Sequence, residues 1–260
     1  MALSVTSNFS INANYAANSM RNSQSLMGKS INRISSGLKA PKPADDALSY
    51  VSGNKLKADS EGYNVLSTGV QDLAARYNMA DSVLSEVGDA LLDLKAKAIA
   101  YASTTDTAAQ DVLSKDATQT IAALNKMLST PKYKGDTLFD GNAQNAYIDL
   151  GGTTLPMDKL TALTLNASDL TSVSAIEKDI TAVTNLRAEV GGSVSALETI
   201  SNYLSGLTAS ADAAYTAVTE VDMAREMTKY VKNNVQSQAA QAMVAQANQG
   251  LAQVLNLLQV

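Results

Sequence analysis

The chain has 260 residues, 45% of them hydrophobic, a formal net charge of −5, and no Cys, His or Trp. That length admits one or two domains with a substantial core, while the acidic balance argues against nucleic acid, which demands a basic stripe. Without Cys or His there is no disulfide framework, thiolate metal site, thiol nucleophile or imidazole base.

Abundant Ala, Leu and Val with only two Phe suit long helices packed on small residues. No segment reaches the roughly 18 continuous apolar residues of a membrane span, and the N-terminus lacks the basic and apolar regions of a cleaved signal. A route out of the cell would not use a standard cleaved signal.

From Met1 to Met20 no side chain is charged. Apolar residues then follow a 4,3 spacing through Ala13, Ala17, Met20, Met27, Ile31, Ile34 and Leu38, with Gln24 the one polar member, and this is a heptad seam. Gly37, Pro41 and Pro43 break the pattern. Ala44 to Ala47 restart a helix, with Asp45 and Asp46 expected in its first turn, where the helix dipole favours carboxylates.

The strongest periodic signal follows: Leu56, Tyr63, Leu66, Val70, Leu73, Tyr77, Ala80, Leu84, Val87, Leu91, Leu94, Ala98 and Tyr101, with only Asp59 off pattern. Such a helix would be about 70 Å long, which predicts a rod. Ser103 to Asp106 form a turn and N-cap. A shorter helix buries Val112, Leu113, Ala117, Ile121, Leu124 and Leu128 until Pro131 stops it.

Residues 131–175 are punctuated by Gly135, Gly141, Gly151, Gly152 and Pro156. They predict one or two β-hairpins, with Tyr147 to Leu150 and Leu163 to Leu165 as strand segments. Helix resumes near Ile176 and carries Val183, Leu186, Val190, Leu197, Ile200, Leu204, Leu207, Ala211, Ala214, Val218 and Val221 at seam positions, Ser193 being the one miss. Gly191 and Gly192 are expected to weaken it locally or admit a close neighbour. The fold expected is mainly α: an elongated antiparallel coiled-coil rod of long N- and C-terminal helices with a small β-hairpin region in the middle.

A Met223, Met227, Val231 stripe leads into the last 28 residues, Asn233 to Val260, which again carry no charge. Val235, Ala239, Met243, Ala247, Leu251, Val254 and Leu258 recur there at helical spacing among Gln, Asn and Ser. A solvated helix normally shows Lys and Glu outward and a membrane-surface helix Lys and Arg, so a neutral polar face calls for more protein as its neighbour. In a homopolymer like charges would repel, whereas Gln, Asn and Ser bond to their own kind. The alternative is a tail disordered in the free subunit and helical when packed. All 45 charged residues lie between Arg21 and Lys232. The two neutral ends are therefore expected to pair with each other and to assemble through Ala13, Ala17, Met20, Met27, Ile31, Ile34, Val235, Met243, Leu251, Val254, Leu255 and Leu258.

No catalytic constellation emerges, and no cofactor or metal is implied. Asp45 and Asp46 read as helix starters, Tyr63, Tyr77 and Tyr101 as core, and the nine Met as adaptable packing. No phosphate loop or dinucleotide fingerprint is present.

Asn32-Arg33-Ile34-Ser35-Ser36-Gly37-Leu38-Lys39 followed by Ala44-Asp45-Asp46-Ala47 resembles the N-terminal region of bacterial flagellin. So do Glu220-Val221-Asp222-Met223-Ala224, Val244-Ala245-Gln246-Ala247-Asn248-Gln249 and Val254-Leu255-Asn256-Leu257-Leu258 at the other end, and, more weakly, Lys132 to Gly141.

The resemblance implies a secreted structural subunit, not an enzyme, that self-assembles into the filament of the bacterial flagellum for motility. It further implies a secretion chaperone, cap and hook-junction proteins as partners. It would place 1–44 and 222–260 in an inner D0-like tube and 45–221 in a D1-like rod holding the 131–175 hairpin region, without outer D2 or D3 domains. Leu91, Leu94 and Lys95 fall where the family carries its innate-receptor epitope. Lys95 and Ala96 stand there in place of an Arg-Glu pair, which predicts weak receptor activation.

A hook-filament junction protein shares the terminal helices and is the second structural reading. A membrane-active tail ranks below it for want of basic residues, and an enzyme last.

Overall fold

The computed structural model describes residues 2–142, 144–161, 165, 170 and 172–258, with the side chains of 2–10, 12, 251 and 254–258 outside the description. It is mainly helical, with elements in the order α1 (Ala2–Ser36), α2 (Ala47–Ser103), α3 (Thr107–Ser129), β1 (Lys132–Tyr133), β2 (Asp136–Thr137), β3 (Gln144–Tyr147), β4 (Thr154–Met157), α4 (Val173–Thr219) and α5 (Met223–Leu258). The chain divides into two compact units, one made of 1–58 with 211–260 and the other of 59–210.

Local chemistry sets the boundaries. Gly37, at φ +70, ends α1 in the left-handed conformation that a residue without Cβ adopts freely, and its amide reaches back to the Arg33 carbonyl at 2.8 Å. Asp46 stands one residue ahead of α2, not in its first turn as expected. From there its carboxylate accepts the Ser49 amide at 3.1 Å and the Ser49 hydroxyl at 2.7 Å. A short Asp side chain reaches the orphan amides best from the cap position, and the Ser49 hydrogen bonds hold its pKa below the usual carboxylate value. Asp106 caps α3 in the same way through the Ala108 amide at 3.0 Å.

Unit 59–210 is built on the predicted seam. Val70, Tyr77, Ala80, Leu84, Val87, Leu91, Leu94 and Ala98 of α2 are buried against Ala117, Ile121, Leu124 and Leu128 of α3 and against Ile176, Val183, Leu186, Val190, Leu197, Ile200 and Leu204 of α4. Asp81–Arg187 at 3.0 Å and Lys95–Glu177 at 2.9 Å fix α2 and α4 as antiparallel. Lys97 bridges Asp93 and Asp116 at 3.0 and 2.7 Å, tying α3 to α2.

Two expectations here need correction. Val112 is exposed, because the inward stripe of α3 starts at Leu113 and runs through Ala117. Gly191 and Gly192 face open space within an unbroken α4, so the close neighbour they were expected to admit is not found.

The expected hairpin region contains two hairpins. In the first, β1 pairs antiparallel with β2 in the register Lys132↔Thr137 and Tyr133↔Asp136. Lys134 (φ 52) and Gly135 (φ 102) form its turn, both at positive φ as a two-residue primed turn requires. In the second, β3 pairs antiparallel with β4 from Gln144↔Met157 to Tyr147↔Thr154. The strand expected over Tyr147 to Leu150 ends at Tyr147. Beyond it Asp149 accepts the Thr153 amide at 2.8 Å and the Thr153 hydroxyl at 2.6 Å, closing a loop. The strand expected at Leu163 and Thr164 lies outside the described residues, whereas Leu165 is buried.

Leu138, Phe139, Ala146 and Met157 carry the hairpins into the helical core. Polar groups anchor them as well. Arg76 Nη2 of α2 reaches the carbonyls of Thr137 and Leu138 at 3.4 Å and Asp140 at 3.3 Å. Tyr77 donates its hydroxyl to the Asp158 carbonyl, and its burial, with the Asp158 charge, pushes its pKa up to about 12. Ser193, the one polar seam position of α4, is buried and donates to Asp158 at 3.3 Å.

Candidate assembly surface

The other unit is organised on α1 and α5, which run antiparallel. The Lys39 amide donates to the Thr219 carbonyl at 2.7 Å and the Val221 amide to the Gly37 carbonyl at 3.0 Å, so Leu38 and Glu220 form an isolated antiparallel bridge where α1 ends and α5 is about to begin. From that crossing the helices lie side by side, with Cα atoms repeatedly within 8 Å.

Small side chains make this approach possible. Ala16, Ser23 and Ser30 are buried at seven-residue intervals on α1, and Glu226, Asn233 and Ala240 at the same interval on α5, with Ser237 buried between the last two. The Ser30 hydroxyl donates to Glu226 Oε1 at 2.8 Å. The same antiparallel offset sets Ser23 level with Asn233 and Ala16 level with Ala240.

The pairing seam is therefore rotated from the one expected. Ala13, Met20, Met27 and Ile34, one half of the expected heptad, are half-buried beside the true seam. The other half has turned outward: Gln24 is exposed, Ala17 half-buried and Ile31 48% exposed. Bulky residues in the seam would hold the backbones apart, whereas Ala and Ser let them close. On α5, Val235 is 58% and Met243 55% exposed, and Ala239 is exposed too. The side chains of Leu251, Val254, Leu255 and Leu258 lie outside the description.

Several large apolar side chains are exposed on the pair. Met223, Met227, Val231 and Val235 are all exposed at four-residue spacing, which advances about 40° per step and winds across the outer face of α5. Ile11, Tyr15, Leu26 and Ile31 are exposed on α1. Ile11, Tyr15 and Leu26 escaped the sequence reading because the apolar heptad drew attention to its own positions. The signal that would have found the seam is the seven-residue recurrence of small and polar residues at 16, 23, 30 and 226, 233, 240.

Charge is confined to the end of the pair next to the crossing. α1 holds Arg21, Lys29 and Arg33 with no acid, and α5 holds Arg225, Lys229 and Lys232 with Glu226 alone against them. Glu226 is 3% exposed and receives Lys229 at 3.0 Å and Arg33 at 3.7 Å besides Ser30. Burial pushes its pKa up, but the Ser30 and Lys229 hydrogen bonds and the Lys229 and Arg33 charges outweigh it, leaving the carboxyl below its usual range.

In the other unit Leu91 and Leu94 are fully buried, and only Lys95 of that trio reaches the surface, where it pairs with Glu177. Among the described residues no group of three or more acidic side chains is arranged to hold a metal, and no helix is long and apolar enough to cross a membrane.

Residues 8–144 match the family model of the bacterial flagellin N-terminal helical region, and residues 173–258 that of the bacterial flagellin C-terminal helical region. The chain belongs to the bacterial flagellin family. It is 27% identical to a flagellin of Halalkalibacterium halodurans over 88% of this chain and 91% of that one. It is also 27% identical to a flagellin of Bacillus subtilis over 95% and 99%. A flagellar filament 33 kDa core protein of Treponema phagedenis is 23% identical over 96% and 99%. A crystal structure of Bacillus cereus flagellin aligns at a TM-score of 0.40 and 16% identity over 55% of this chain and 88% of that chain. Flagellins are structural proteins, so this chain is a self-assembling filament subunit of the flagellum and not an enzyme.

Proposed function

We propose that this flagellin polymerises through the outward apolar faces of α1 and α5, each subunit covering the stripes that its neighbours leave bare. One observation carries the reading: the two terminal helices hold each other through small and polar residues while Ile31, Val231, Val235 and Met243 remain in water. Exposed apolar surface of this extent on charge-poor helices marks an interaction site. At roughly 25 cal/mol per Å², a few hundred Å² covered per contact gives several kcal/mol, repeated along the polymer.

The terminal segments 1–44 and 222–260 then serve as a D0-like inner tube and 45–221 as a D1-like layer. Ala13, Ala17, Met20, Met27, Ile34, Leu251, Val254, Leu255 and Leu258 join the exposed residues in the contact. The subunit reaches the filament by secretion, with a chaperone covering the stripes beforehand and cap and hook-junction proteins receiving it.

Deleting Asn233 to Val260 tests the reading. The truncated protein should stay helical in circular dichroism yet fail to elongate filament seeds. Filaments of normal length grown from it would refute the proposal.

A further inference from the structure

We propose that Met223, Met227 and Met243 form an oxidation site that decides whether a free subunit joins the filament, an inference that rests on the assembly surface proposed above. All three thioethers are exposed on α5, at 46%, 47% and 55%; Met223 and Met227 lie one helical turn apart, and Met243 lies about 160° around the helix from Met227, on the other flank of the pairing seam. With no Cys anywhere in the chain, Met is its only sulfur. Met157, 6% exposed in the core of the other unit, is an internal control.

The reactant is a peroxide of the hydrogen peroxide class. Its distal oxygen is transferred to the Met sulfur: an S–O bond forms, the O–O bond breaks, sulfur gives up two electrons, and water leaves. The product side chain keeps its length but carries a strong dipole and an acceptor oxygen. In water that oxygen is solvated. Against the Val and Ile side chains of a neighbouring copy it has no donor, so assembly must strip its water without replacing the hydrogen bond. Three such groups on the exposed flanks of one helix add their effects. In a grown polymer the same sulfurs are covered, so the chemistry belongs to the free subunit, and a sulfoxide reductase drawing on external thiols reverses it.

The test uses the full chain. Free subunits are treated with hydrogen peroxide, the sulfoxides located by peptide mass mapping, and seeded elongation followed by light scattering. Met223, Met227 and Met243 should oxidise well ahead of Met157, and elongation should fall at least about tenfold. Methionine sulfoxide reductase with dithiothreitol should restore it, and a subunit carrying M223L, M227L and M243L should elongate after peroxide within about twofold of its untreated rate, since Leu matches Met in volume. Undiminished elongation by fully oxidised subunits overturns the inference, and so does an equal peroxide loss in the Leu variant. Preformed filaments separate this from the underlying reading: if Met227 and Met243 oxidise there as fast as in free subunits, the assembly surface itself is wrong.

Discussion

Gly53 of α2 faces Thr219, the last residue of α4, with no room for a methyl group between them: a Cβ added at Gly53 would lie 2.3 Å from Thr219 Cγ2. Thr219 cannot readily turn aside, since it is β-branched and its hydroxyl donates to the Tyr215 carbonyl at 2.7 Å. Gly53→Ala should therefore destabilise the unit containing α1 and α5 by about 1–3 kcal/mol despite the better helix propensity of Ala. Gly62→Ala is the matched control, because its Cβ would meet only the Leu150 side-chain tip at 2.5 Å, on an exposed loop residue free to shift. That change should stay within about 1 kcal/mol of wild type. Urea melts of both variants check the pair.

Glu226 makes the terminal pairing acid-sensitive. Its folded pKa lies below the ordinary 4.5, so its stabilising contribution is fully present above that value and is lost as the pH falls through the depressed folded value. Thermal melts followed by circular dichroism should show the wild type losing stability in that acid window, with Glu226→Gln changing less across it. At neutral pH Glu226→Ala should cost about 2 kcal/mol, since it strips a buried acceptor from Ser30 and leaves Arg33 and Lys229 without their counter-charge.

Arg76 pins the β1–β2 hairpin region to α2 through Thr137, Leu138 and Asp140. Truncation to Ala should cost roughly 2–3 kcal/mol, because a buried carbonyl, a part-buried one and a carboxylate lose their charged donor. Hydrogen exchange should show the loss first at 132–141, ahead of the α2–α4 core.

The long helices were legible because Leu84, Leu91, Leu197 and Leu204 repeat at 3,4 spacing, and burying large side chains at that period leaves little choice of face. The pairing of α1 with α5 was legible from shared neutrality, but its face was not. In a monomer the apolar stripe is the core; here large apolar residues such as Ile31, Val231 and Val235 stay exposed, as the proposed polymer contact requires, and Ser23, Ser30 and Asn233 close the pair instead. Glu226 was hidden for a related reason: a lone acid among Lys and Arg reads as a surface charge until Ser30 is seen opposite it.

The resemblance to flagellins proposes an innate-receptor contact at Lys95. With Leu91 and Leu94 buried and Lys95 paired to Glu177, the stretch offers a receptor a single ammonium where a guanidinium fork and a carboxylate would be expected. Purified subunit should activate the extracellular flagellin receptor weakly in a reporter-cell assay, and potent activation would overturn this.

The most direct measurement exploits the absence of Cys. Val235→Cys introduces a single thiol on the outward face of α5, and its reaction with a maleimide can be timed in free subunits and in grown filaments. Coverage by neighbouring copies predicts rapid labelling of the free subunit and at least about tenfold slower labelling in the filament. Equal rates in the two states would mean that the face stays in water after assembly, contrary to the proposed role of the terminal helices.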